Sequence, residues 1–307
     1  MKKRFLTFPM RLGVPLTAVA VLAAGCASGT AGGTSAAGGG TNKTINMGVI
    51  PGWTDETGTA YLLKNVLEHN GFTVKITELS DNAPMYTALS KGDIDVLSSA
   101  WPEKLHKALM DRYGKNLEDV GSYYEGATSF LAVPTYSDIK SISDLPSHAA
   151  ELDGKITGIE PGAGLTKATK DDVIPAYGLN TDFKLVLSST TAMLTTLKKA
   201  TEAKKPIVVT LWKPFWANGA FPVRALEDPK GAYGAPENLH VLARKGFSAD
   251  NPKVANLLKN FKLDDKQYQS LEDLVANKFG QGEEDKAVQA WLDKNPDYGT
   301  KLASYLK

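Results

Sequence analysis

Between residues 44 and 99 the chain alternates between two periodicities, and that alternation restricts the fold more than any other feature. "TINMGVI" reads as a strand. "TAYLLKNVLEHNG" places Leu62, Leu63, Val66 and Leu67 at helical spacing and stops at Gly71. "FTVKITEL" returns to a period of two, with Phe72, Val74 and Ile76 on one face. "APMYTALSKG" predicts a short helix opened by Pro84 and closed by Gly92, and "DIDVLSS" the next strand. Strand, helix, strand, helix, strand implies parallel pairing in an α/β layer.

A second set repeats the pattern. "KITGIE" and "FKLVLSS" read as strands separated by a helix within "GLTKATKDDVIPAYG". "TTAMLTTLKKATEAKK" reads as a helix and "PIVVTLW" as a buried strand. Two apolar segments, "TSFLAVP" (128–134) and "ENLHVLARKGF" (237–247), are placed to cross between the sets, and 251–307 reads as helical. The expected architecture is α/β with two lobes joined by two crossings. Each lobe is a mostly parallel sheet flanked by helices, with a ligand in the cleft between them. Residues 44–130 and 238–307 are assigned to lobe I, and 131–237 to lobe II. A chain of 307 residues with 42% hydrophobic composition can supply two cores.

The first 26 residues differ. "MKKRFLTFPMR" is a basic leader, and "LGVPLTAVAVLAAG" is too short to be a good membrane span. The single cysteine, Cys26, ends "LAAGC", a pattern that resembles a bacterial lipobox with Ala23 where Leu is more usual. The expectation is a lipoprotein signal peptide over 1–26 and a lipidated Cys26. A Gly/Ser-rich tether over 27–43 then holds an extracytoplasmic body on the membrane.

Where would chemistry sit? Open parallel sheets bind ligands beyond the carboxyl ends of their strands. Of five tryptophans, Trp53, Trp101, Trp212 and Trp216 follow predicted strand ends, two in each set. Trp291 lies on an amphipathic tail helix and reads as core. A lone Trp at such a place is more often packing. Several at equivalent positions suit a quaternary ammonium, which has no N–H to donate and is attracted by the negative faces of aromatic rings. "EPGAGLT" places Gly162 and Gly164 in a tight turn before a helix, whose first N–H groups suit a small carboxylate. No Lys-Ser/Thr follows, so it is not a phosphate-binding P-loop. His106 is placed to add a donor to the same carboxylate. The residues alone do not choose three rings out of four.

The segment "GVIPGWTDETGTAYLLKNVLEHNGFTVKITELSDNAPMYTALSKGDIDVLSSAWPEKLH" resembles the glycine betaine-binding protein family, the substrate-binding components of ABC importers. "GIEPGAGLTK", "KKPIVVTLWKPFW" and "LEDPKGAYG" continue the resemblance in order. It implies a two-lobe periplasmic-binding-protein-like fold and a trimethylammonium cage of Trp53, Trp101 and Trp212. It also implies a carboxylate site at the backbone of Gly164 and Leu165 together with His106. Trp216 is then packing. Two positions depart from the family pattern, Leu211 for Gly and Phe215 for His, and both adjoin the third cage ring. Glycine betaine heads the expected ligands, with proline betaine, carnitine and choline open. An ABC permease is the implied partner; the alternative is a lipoprotein that senses such a ligand without transporting it.

Catalysis is not expected. No cysteine remains for it, there is no Gly-x-Ser-x-Gly elbow, and the four histidines lack metal-ligand spacing. The acidic pairs Asp55–Glu56 and Glu227–Asp228 read as solvated loop charges. A net charge of +1 without a basic run gives no reason to expect nucleic acid. No cofactor or metal is implied.

Overall fold

The computed structural model describes residues 44–307, so the expected signal peptide, Cys26 and tether lie outside the described residues. The first set forms in the order read from the sequence: β1 (Thr44–Val49), α1 (Thr54–Glu68), β2 (Thr73–Glu78), α2 (Asn82–Lys91) and β3 (Val96–Ala100). β1 pairs parallel with both β2 and β3. Next come α3 (Lys107–Tyr113) and the long β4 (Leu117–Pro134). The second set holds β5 (Lys155–Thr157), α4 (Gly164–Ala168), α5 (Ile174–Ala176), β6 (Lys184–Val186), α6 (Thr190–Glu202), β7 (Val209–Lys213), α7 (Ala217–Ala220) and β8 (Val223–Ala225). β5 pairs parallel with β6 and β7. β9 (Glu237–Arg244) then leads to the tail helices α8 (Phe247–Asp250), α9 (Pro252–Asn260), α10 (Asp265–Asp273), α11 (Glu284–Lys294) and α12 (Pro296–Ser304).

The two sets meet through β4. Its first part pairs antiparallel with β9, over Leu117–Ala127, and its second part with β7, over Thr128–Ala132. "TSFLAVP" is therefore the second half of one continuous strand. Register shifts near Gly121 (φ +147°) and Gly126 (φ +80°) bend it between the two pairings, as bulges do. The strand order is β2-β1-β3-β9-β4-β7-β5-β6, with β8 on β4. Each parallel set is thus continued by antiparallel crossing strands.

Two helix starts differ from expectation. α2 begins at Asn82, because the Asp81 carboxylate accepts the Asn82 N–H at 2.7 Å. Pro84 sits inside the first turn, where its missing N–H costs nothing. Gly92 ends the helix in a left-handed conformation, φ +79°. α1 begins directly after Trp53, five residues before the apolar pattern does. Its first turns, "TDETG", are polar yet buried. The glycine of β1 also has a local reason: a Cβ on Gly48 would strike the Met85 sulfur and Ile94. The Met85 side chain of α2 fills the space that a Cβ would take.

The tail helices α10, α11 and α12 pack on α1. Trp291 on α11 is 1% exposed, donates its indole N–H to Ser270 Oγ at 2.8 Å and meets Tyr298 edge-on at 5.2 Å. Replacing Trp291 with Ala removes this ring from a closed core and is expected to cost about 3–5 kcal/mol. Urea unfolding measures it; an unchanged midpoint would show that the tail does not contribute to the cooperative unit.

Candidate functional site

One cleft lies where the carboxyl ends of β1 and β3 face those of β5 and β7. Trp53, Asp55, Trp101, His106, Leu165 and Trp212 line it with Leu105, Ile159, Ala163 and Gly164. Its free internal volume is about 30 Å³. All six residues singled out as ligand-binding in the sequence border this one space.

Local bonding sets each wall. The Trp53 N–H donates to Ile50 O at 3.0 Å, closing the turn after β1. Trp101 follows β3 directly. Its N–H donates to His106 Nδ1 at 3.2 Å, and the His106 N–H donates back to Trp101 O at 2.8 Å. Residues 101–106 thus form a closed loop. Glu237 of β9 clamps that loop by accepting the N–H groups of Lys104 and Leu105 at 3.0 and 3.1 Å. Trp212 lies within β7, not beyond it. Phe215 stacks on it at 3.9 Å and 18°, but lines a separate groove with Trp216 and not the cleft. The departure at Phe215 therefore braces the third ring from behind. Leu211 is fully buried in the strand.

The glycines of "EPGAGLT" serve a purpose other than the expected one. Neither Gly162 nor Gly164 has a positive φ. What they permit is close approach. A Cβ on Gly162 would collide with the Asp81 carboxylate, and one on Gly164 would sit 2.5 Å from Leu105 O. Asp81 Oδ2 accepts the Gly162 N–H at 2.8 Å. At α4, the Lys167 N–H is the first to reach four residues back, to Ala163. The amides of Gly164 and Leu165 precede that ladder, as at any helix start.

His106 is 2% exposed, and burial lowers its pKa to about 3, so it is neutral. Because Nδ1 accepts the Trp101 N–H, the proton belongs on Nε2. Nε2 lies 3.0 Å from the Asn82 amide, whose Oδ1 is otherwise left without a partner. Turning that amide over pairs Oδ1 with the Nε2 proton and resolves both facts.

Asp55 and Glu56 are not solvated loop charges; they are 3% and 0% exposed. Burial raises Asp55 to about 6, and burial with the Asp55 charge raises Glu56 well above its usual value. Ser99 donates to Asp55 Oδ2 at 2.9 Å and the Trp101 side chain also stabilises the carboxylate, while Oδ1 makes no hydrogen bond of ordinary length. Behind them, burial pushes Glu272 up to about 8, with Thr54 Oγ1 donating to it at 2.6 Å. Of the other pair, Glu227 is exposed and Asp228 half-buried. The sequence reading missed Asp55, Asp81, Glu160 and Glu237 as site residues.

A cleft between two α/β halves, walled by rings from both, defines a two-lobed binding protein for a small molecule. Residues 43–294 match the family model for the substrate-binding domain of the ABC-type glycine betaine transport system, and the chain belongs to that family. Its members are extracytoplasmic binding proteins of ABC importers and not enzymes. The chain is 39% identical over 151 residues to the glycine betaine/carnitine transport binding protein GbuC of Listeria monocytogenes serotype 1/2a (strain 10403S). That match spans 48% of this chain and 48% of the relative, about half of each. Lactococcal OpuAC, solved closed with glycine betaine, is 31% identical with a TM-score of 0.77, covering 84% of this chain and 98% of that one. An ABC-transporter choline-binding protein in complex with choline is 28% identical with a TM-score of 0.75, covering 87% and 99%.

Glu272 makes stability depend on pH. Its folded pKa, about 8, exceeds the usual 4.5, so the folded state binds more protons than the unfolded state in between. Its contribution is complete below pH 4.5 and is lost as pH rises through about 8. Glu272→Gln, which mimics the protonated acid, is expected to flatten the decline of the melting temperature over that window. An unchanged slope would mean that Glu272 is ionised when folded.

Proposed function

We propose that this protein captures glycine betaine between two lobes, 44–130 with 238–307 and 131–237, and delivers it to an ABC permease. Trp53, Trp101 and Trp212 cage the trimethylammonium group. The amides of Gly164 and Leu165 hold the carboxylate, and His106 joins them when its Nε2 proton turns from Asn82 to the ligand. Residues 1–26 direct export, lipidated Cys26 anchors the chain in the membrane, and 27–43 tether it. The observation that carries this reading is that rings and amides from both halves border one buried cleft. A cation without N–H groups is selected by ring faces, and the attraction grows when water is excluded. Ligand touching both halves favours the closed arrangement by its differential affinity.

A second reading has a specific observation behind it. Asp55 lines the cleft, and its buried Oδ1 makes no hydrogen bond of ordinary length to the protein. A hydroxyl-bearing cation such as choline would satisfy that oxygen by donating its O–H, where a ligand carboxylate would face a like charge.

Calorimetric titration with glycine betaine, choline, carnitine and proline separates these readings. Saturable binding of glycine betaine but not proline is expected; choline as the sole ligand would favour the Asp55 reading. Trp101→Ala is expected to weaken binding by about tenfold or more. Equal affinity in that variant would remove Trp101 from the cage. His106→Ala should weaken glycine betaine more than choline, and equal weakening would make His106 purely structural.

A further inference from the structure

Trp53 and Glu160 come from opposite halves of the molecule, one after β1 and the other after β5. Across the cleft the Trp53 indole N–H donates to Glu160 Oε2 at 3.0 Å and shares its proton with Thr190 Oγ1 at 3.1 Å. The Thr190 N–H donates to Glu160 Oε1 and its hydroxyl to Oε2, each at 2.8 Å. Trp53, Glu160 and Thr190 are all buried. Every group bonded to this carboxylate is a donor. No Lys or Arg pairs with it among the described residues. The indole N–H therefore meets a carboxylate that no Lys or Arg side chain pairs with.

A hydrogen bond from an indole N–H to an anion pushes electron density into the ring. The face of that ring becomes more negative, and its attraction for a cation rises. Such polarisation is strongest in a dry site of low dielectric. We propose that Glu160 is a specificity-determining residue that acts through Trp53. Its carboxylate makes this ring a stronger host for a permanent cation, and does so only when the two halves have closed. The proposal rests on the cage reading of Trp53. It adds that the discrimination between a cation and a neutral group of the same shape is set partly outside the cage.

The test compares two ligands on the full chain: glycine betaine and its carbon isostere 3,3-dimethylbutanoate, in which a neutral tert-butyl group replaces the trimethylammonium. The wild type is expected to prefer glycine betaine. Glu160→Gln keeps the shape but removes the charge, and is expected to reduce that preference about five- to tenfold, chiefly by weakening glycine betaine. Equal weakening of both ligands would make Glu160 only a brace between the halves and overturn the proposal, as would an unchanged preference. A wild type that does not distinguish the two ligands would instead overturn the cage reading itself, before any variant is compared. Should Glu160→Gln fail to fold, Thr190→Val decides the matter. The carboxylate is then the remaining acceptor for the indole, so the preference for the cation is expected to hold or rise. A fall of similar size would assign the effect to the hydroxyl and overturn the proposal.

Discussion

At Gly164 two backbones meet across the cleft at a distance that leaves no room for a Cβ. The turn after β5 runs against Asp81 and Leu105 of the other half, and glycine at 162 and 164 is what lets it do so. Everything at the site follows from that contact. It brings the start of α4 beneath the loop that carries Trp101 and His106. It also sets Trp53 within hydrogen-bonding reach of Glu160. A larger residue at Gly164 would press on the Leu105 backbone and hold the halves apart, whereas one at Gly162 would displace the Asp81 carboxylate.

The electrostatics of the cleft are one-sided. Asp55, Glu56, Glu160 and Glu272 are buried on or behind its wall, while His106, the basic side chain that lines it, is held neutral by burial. Carboxylates without buried cations pull in different directions. Glu56 and Glu272 are pushed toward their neutral forms, Asp55 titrates near 6, and Glu160 is surrounded by donors. A site with this lining favours a ligand that brings its own positive charge. The neutral imidazole, its one N–H facing Asn82, adds no charge that would compete with that ligand.

The crossing strands hold this arrangement together. β4 belongs to both pairings, and β9 returns beside it with Glu237 clamping the 101–106 loop. The loop that presents Trp101 is thus fixed from the strand that joins the two sets, so a change in their relation reaches the ring through two hydrogen bonds. Phe215 braces Trp212 in the same way, through a stacked face on the side away from the cleft.

Much of this was legible in the linear pattern because it is set by short-range physics. Apolar periodicity of two and 3.6 marked the alternating strands and helices, Gly92 marked the end of α2, and tryptophans after strand ends marked the loops of the cleft. The resemblance chose three rings of four, and the fold places those three on the cleft and Trp216 outside it. Other features depended on neighbours distant in sequence. "TDETG" carries no apolar period, so the first turns of α1 and its buried carboxylates were invisible until the tail helices and β3 covered them. Asp55 and Glu160 have the same composition signal as any surface acid. Gly162 and Gly164 read as a turn, although the reason for them lies some sixty to eighty residues earlier, at Asp81 and Leu105. Sequence by itself determined which segments form elements and which side chains can attract a cation, since both depend on residue type and local spacing. Tertiary structure alone decided which acids are buried, which glycines are sterically required and which indole meets a carboxylate, since each is a property of two surfaces brought together.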